Sequence, residues 1–322
     1  MENWRIVAEE QLGVSLYQCQ SLGGGDFAQS YCARVKNVIS SDTAVKTRNR
    51  LLELSGININ DPMVDSAVLL ETDDSIFIKT HRNPPPLHFS TEAIGLMWLK
   101  QSGAVNVPSV IGVDDDAPYL AIEWVDVNGG QLRSAAGEAE FGRQLAALHQ
   151  QQLPYFGRED QRSTGSLGLP NNPCSSWSEF YATQRLIPLL EIASSQQSLS
   201  MGTLNKIEKL CGQLDEFSDS DHAASLLHGD LWAGNRLVDN QGRSWLIDPA
   251  CHAGHREFDL AMMRLFGGFD ASCHAAYQDT WPLAHGWQDR IELHQLAPLI
   301  VHSIKFGGSY RQATDDAVNR YV

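Results

Sequence analysis

Hydrophobic and polar positions change period partway along the chain. Up to about residue 125 alternation dominates: Leu16 to Leu22 and Ser30 to Val38 read as strands on either side of Gly23-Gly24-Gly25, and Ser75-Ile76-Phe77-Ile78-Lys79 and Tyr119 to Val125 read as two more. One helix falls among them, Thr91 to Gln101, with Ala93, Leu96, Met97 and Trp98 at helical spacing. From Gly137 the period is helical: Phe141, Leu145 and Leu148 share a face, and Trp177 to Ile192, Thr203 to Phe217, Phe258 to Phe266 and Ile291 to Phe306 follow. The pattern predicts an α+β chain of two lobes, a sheet with one helix over residues 1–125 and a mainly helical lobe over residues 126–322. Asp126-Val127-Asn128-Gly129-Gly130 reads as the hinge between them. The stretch from about Ile39 to Leu70 is longer than a hairpin connection needs and reads as an insertion, open between a lid and an interface element.

Composition narrows the setting. A chain of 322 residues, 43% hydrophobic, can bury two ordinary cores without disulfides. Its net charge of -15 speaks against a nucleic-acid or anionic-membrane partner, both of which require basic surface. Six scattered cysteines with no C-x-x-C pair read as reduced thiols. With no apolar leader region and no run of about 18 apolar residues, a cytoplasmic location is expected.

The chemistry concentrates in Leu227-His228-Gly229-Asp230-Leu231-Trp232-Ala233-Gly234-Asn235, followed by Ile247-Asp248-Pro249. An Asp that can accept a hydroxyl proton, an Asn five positions on and a second Asp beyond a hairpin are the groups that ATP-dependent phosphoryl transfer uses. Asp230 is the expected base, and Asn235 and Asp248 the expected Mg²⁺ ligands. Asp239-Asn240-Gln241-Gly242 reads as the turn of the intervening hairpin. Lys79 is placed to reach the α- and β-phosphates of ATP, with Glu92 on the first helix to orient it. Taken alone, these two are more often a solvated strand-end lysine and a surface helix charge, a balance that the later motif reverses, and Lys46 lacks a comparable Glu. Gly23, Gly24 and Gly25 form an expected phosphate-covering loop, although an ordinary turn explains them nearly as well. Glu123 and Val125, at the end of the apolar strand, are assigned to the nucleotide. His149 reads as a core histidine, with support of the Asp230 loop as the alternative, and Asp259 as a buried group placed to hold that loop's backbone amides. His252 and His255 form an H-x-x-H without the further ligands that zinc needs. The absence of H-R-D and A-P-E sequences argues for a small acceptor rather than a protein Ser/Thr side chain.

Beyond these motifs, Thr91-Glu92-Ala93-Ile94-Gly95-Leu96, Leu145-Ala146-Ala147-Leu148-His149, Gly254-His255-Arg256-Glu257 and Phe306-Gly307-Gly308-Ser309-Tyr310 complete a pattern that resembles the fructosamine kinase family. The resemblance implies a bilobal protein-kinase-like fold and ATP- and Mg²⁺-dependent phosphorylation of a sugar hydroxyl on ketoamines, free or on glycated protein, as repair of glycation. It also implies that Trp232 walls the sugar pocket. Departures are the insertion after Val38 and Ile304, which stands near where the family has a polar Asn. The competing readings are a kinase of another small alcohol, aminoglycoside-like or choline-like, and an inactive ATP-binding scaffold.

Overall fold

The computed structural model describes residues 3–22, 28–38, 46, 49, 52–53, 70–127, 133–217 and 223–322. The expected glycine loop (Gly23, Gly24, Gly25), most of the insertion and the hinge residues Asn128, Gly129 and Gly130 lie outside the described residues. The chain divides into two compact units, Met1–Arg133 with Arg236–Pro249, and Ser134–Asn235 with Ala250–Val322.

In the first unit α1 (Asn3–Leu12) precedes β1 (Val14–Leu22), β2 (Gln29–Val38), β3 (Ser75–Thr80), α2 (His88–Gln101), β4 (Val110–Asp114) and β5 (Tyr119–Glu123). The strands form one antiparallel sheet in the order β1-β2-β3-β5-β4, so β3 is central. Ile76 and Ile78 of β3 share a core with Leu16, Ala33 and Val35 and with Trp4, Ala8 and Leu12 of α1. Because successive side chains leave opposite faces of a strand, Lys79 points away from that core. Helix α1 buries Trp4, Ala8 and Leu12, one per turn, but Ile6, apolar and half exposed, and the charged Arg5, Glu9 and Glu10 blur that stripe in the sequence. Helix α2 begins after Pro84-Pro85-Pro86, and Asp115 of the β4–β5 turn caps it by accepting from the N–H groups of Phe89 and Ser90 at 3.1 and 3.2 Å.

The second unit holds α3 (Ala135–His149), β6 (Gln152–Leu153), α4 (Trp177–Tyr181), α5 (Ile187–Ser195), α6 (Met201–Cys211), α7 (Leu214–Phe217) and β7 (Ala224–Leu227). After the hairpin of β8 (Arg236–Val238) and β9 (Ser244–Leu246), which belongs to the first unit, come β10 (His252–Gly254), α8 (Glu257–Phe266), α9 (Ala271–Thr280), α10 (Ile291–Phe306) and α11 (Ser309–Val318). That hairpin was expected with the helical lobe. Asn106 draws it to the first unit: its N–H-bearing amide donates to the Ser244 carbonyl, and its own carbonyl accepts from Leu246 N–H.

Two prolines shape the helices. The expected helix Trp177 to Ile192 is broken by a π turn at Ala182–Leu186. Pro188 has no N–H for the carbonyl of Gln184, and the Arg185 guanidinium donates to that oxygen instead, at 2.8 Å. Pro298 lies inside the continuous helix α10 and has no N–H for the carbonyl of His294. There the Tyr181 hydroxyl accepts from Ala297 N–H at 3.1 Å and donates to the Leu293 carbonyl at 2.7 Å, bridging the opened turn. Among the described residues no helix is long and apolar enough to cross a membrane.

Candidate active site

The sheet face opposite the α1 core carries an ammonium with two carboxylates. Lys79, a residue 9% exposed, donates through Nζ to Glu92 Oε1 and Oε2 at 3.0 and 3.1 Å and pairs with Asp248 Oδ1 at 2.8 Å. Burial alone would lower the Lys79 pKa, but the Asp248 and Glu92 charges outweigh it and raise it, so the ammonium persists. Two carboxyl groups converge on one ammonium, so the cluster offers more oxygen ligands than Lys79 occupies, which suits a further cation. Asp248 lies two residues beyond β9 with φ 55°, a left-handed conformation, and precedes Pro249, before which extended backbone is normal. Such a conformation in a non-glycine residue costs of the order of 1 kcal/mol and is retained where an aimed side chain requires it.

The loop bearing Asp230 is anchored through its backbone N–H groups. Asp259, from the first turn of α8 and fully buried, accepts from His228 N–H at 2.8 Å and from Gly229 N–H at 2.9 Å. Burial opposes its ionisation, yet the hydrogen bonds from His149 and Gly229 hold its pKa below the usual value. Asp230 N–H donates to His228 Nδ1 at 3.3 Å. Gly229 has φ 81°, and a β-carbon there would lie 2.2 Å from the Ala250 carbonyl oxygen, so only glycine fits. Leu231 is fully buried and pins the loop's far side. A 3₁₀ turn over Ala233–Asn235 then brings Asn235 back, and its Nδ2 donates to Asp230 O at 2.9 Å and to Asp230 Oδ2 at 3.0 Å. The β8–β9 register pairs Arg236 with Leu246, so the chain segments leading to Asn235 and to Asp248 leave the hairpin at the same end.

The remaining expected residues are placed as follows. Trp232 is 39% exposed, its ring edge-on to Phe266 at 6.0 Å. A β-carbon at Gly234 would lie 2.3 Å from that indole, so the absence of a side chain at Gly234 lets the ring lie over the loop. Glu123 ends β5, with its carboxylate accepting from Ser109 N–H and Oγ, and Val125 is buried. His149 touches Asp259 through Nε2 at 3.3 Å. Among the described residues one buried group, His255, Glu257 and His294, has the elements of a metal site. Its chemistry is that of an ion pair: Arg290 donates to both Glu257 oxygens at 2.8 and 2.6 Å. Glu257 N–H donates to His255 Nδ1, which puts that imidazole's proton on Nε2, where a metal would bind.

Sequence reasoning singled out Asp259 but not Tyr277, whose hydroxyl lies 2.9 Å from His149 Nδ1. Nothing in the weakly patterned segment of α9 marks that tyrosine.

The geometry has counterparts in known proteins. Residues 15–322 match the family model described as Fructosamine kinase. A candidate ketoamine kinase of Lactiplantibacillus plantarum is 36% identical over 249 residues, 76% of this chain and 86% of the relative. A crystal structure of a candidate fructosamine-3-kinase of Thermobifida fusca superposes with a TM-score of 0.79 at 32% identity, covering 99% of this chain and 98% of that one. At the level of fold alone, an aminoglycoside phosphotransferase crystallised with ADP and hygromycin B gives a TM-score of 0.58 at 13% identity, over 99% and 98% of the two chains. The fold is therefore the protein-kinase-like one of these phosphotransferases, with an N-terminal antiparallel sheet and a mainly helical C-terminal part. The chain belongs to the fructosamine kinase family, whose members are ATP-dependent phosphotransferases.

Proposed function

We propose that this protein transfers the γ-phosphoryl group of ATP to a sugar hydroxyl of ketoamines, the fructosamine- or ribulosamine-type adducts of glycated amines, and so serves repair of glycated protein or amino acids in the cytoplasm. The observation that carries the reading is the Asp230–Asn235 pair on a backbone-locked loop. Asp230 is the base. The acceptor oxygen forms its bond to the γ-phosphorus as the bridging P–O bond to the β-phosphate breaks, ADP leaves, and the hydroxyl proton passes to Asp230. Asn235 holds Asp230 in the orientation this needs. Its amide nitrogen faces Asp230, which turns Oδ1 the other way, where it is fit for a cation. Asp248 supplies an anionic oxygen of the kind Mg²⁺ prefers, and the excess carboxylate beside Lys79 fits that ion. Bound there, Mg²⁺ would neutralise phosphate charge. Lys79, oriented by Glu92, addresses the α- and β-phosphates; the main chain at Glu123 and Val125 takes the adenine; Gly23, Gly24 and Gly25 cover the phosphates; Trp232 offers the sugar a flat apolar wall.

The test is ADP release with a panel: fructosamine- and ribulosamine-lysine, a glycated peptide, an aminoglycoside and choline. Turnover with the ketoamines, abolished by Asp230→Asn, is expected. Turnover confined to the aminoglycoside or choline would reassign the acceptor, and background ADP with every compound would leave a scaffold.

A further inference from the structure

Asp259 can hold the Asp230 loop only if the groups around it all donate. Its two oxygens receive His228 N–H, Gly229 N–H and, at 3.3 Å, the Nε2 edge of His149. A carboxylate only accepts, so Nε2 must carry a proton, and in the singly protonated ring Nδ1 is then the acceptor. The group facing Nδ1 is the hydroxyl of Tyr277, at 2.9 Å. Burial raises the Tyr277 pKa, so the phenol keeps its proton, and the Arg256 guanidinium lies beside its oxygen. Two donors cannot face one another, so the phenol O–H points to His149.

The placement is built into the helices. A β-carbon at Gly142 of α3 would lie 2.1 Å from the Cys273 carbonyl of α9 and 3.1 Å from Tyr277 N, so only glycine lets these two backbones meet. Tyr277 is one turn beyond Cys273, and His149 two turns beyond Gly142. Both side chains are buried, with the rings edge to face at 5.6 Å.

We propose that Tyr277 is a positioning residue for phosphoryl transfer: by donating to His149 Nδ1 it selects the imidazole tautomer that donates to Asp259, and through Asp259 it fixes the backbone from which Asp230 projects. The role rests on Asp230 being the base. In Tyr277→Phe the Nδ1–H tautomer becomes accessible, and it turns the Nε2 lone pair towards a carboxylate. The loop then loses one of its fixed donors.

Two measurements test it. Nitrogen-15 NMR of the histidines in the wild-type protein should find His149 protonated at Nε2 and unprotonated at Nδ1, and Tyr277→Phe should show a mixture. Kinetically, Tyr277→Phe should lower kcat about five- to tenfold, the worth of one hydrogen bond, with KM for ATP unchanged. A wild-type His149 protonated at Nδ1, or a folded Tyr277→Phe enzyme with wild-type kcat, overturns the proposal. The wild-type tautomer decides the matter even if the variant does not fold. Because the spectrum needs no substrate, absence of ketoamine turnover would count against the proposed function without touching this measurement.

Discussion

The side-chain amide of Asn235 donates to both the carbonyl and a carboxylate oxygen of Asp230, at 2.9 and 3.0 Å. One residue thereby fixes main chain and side chain of the proposed base together. Asp230→Asn keeps the shape but removes the proton acceptor, so kcat should fall about 10²- to 10⁴-fold with the melting temperature little changed. Steady-state kinetics beside a thermal melt checks this, and a variant with a few-fold effect would remove Asp230 from the base role.

Lys79 answers two carboxylates, and its loss should be felt through pH. Lys79→Met leaves Glu92 buried and unpaired, and breaking such a pair costs about 3 kcal/mol when the survivor stays charged. Burial and Asp248 already press Glu92 towards protonation, so at pH 5 the orphan takes up a proton and the penalty shrinks. The gap in stability between wild type and variant, from denaturant titrations, should therefore widen from pH 5 to pH 8. Adding Glu92→Gln should close most of it.

Gly234 and Trp232 provide a test of the acceptor side. In Gly234→Ala the new methyl group occupies space held by the indole, and the half-exposed ring can swing outward. Stability should change by less than about 1 kcal/mol. KM for the ketoamine should rise severalfold with KM for ATP constant; an equal rise in both would place Trp232 away from the acceptor.

Acid should weaken the second unit through His252. Burial and the Arg185 charge lower its pKa to about 3, so the imidazole is neutral in the fold, its Nδ1 donating to the Ala250 carbonyl at 2.8 Å. Unfolded, it takes a proton near its ordinary value of about 6.5. The unfolded state thus binds more protons between about pH 6.5 and 3, and stability falls with pH across that window. Asp259, whose pKa is also lowered, loses its contribution only at the acid end. His252→Asn keeps a donor for Ala250 and cannot charge, so its stability should decline less between pH 7 and 4. Parallel slopes for the two proteins would refute the assignment.

How far the sequence could be read depended on the range of each signal. Lys79 and Glu92 stand thirteen positions apart, and a strand–helix pattern was enough to pair them. The Asp230–Asn235 contact is closed by a single short turn, and D-x-x-x-x-N shows it directly. The π turn at Ala182–Leu186 carried a local warning in Pro188, but helical periodicity ran straight through it. Helix α9 shows little periodicity, and Tyr277 belongs to no motif.

The sequence by itself determined the division into a sheet-rich first part and a helical second part, the identity of the proposed base and metal ligands, and the family resemblance, because these reside in periods and spacings a few residues long. Tertiary structure decided which unit holds the β8–β9 hairpin, why Gly229 and Gly142 must be glycine, and which nitrogen of His149 faces Asp259. Each of those depends on atoms brought within about 3 Å by packing between segments a hundred or more residues apart, or, at Gly229, by the Ala250 carbonyl beyond the β8–β9 hairpin, and no local pattern encodes such an approach.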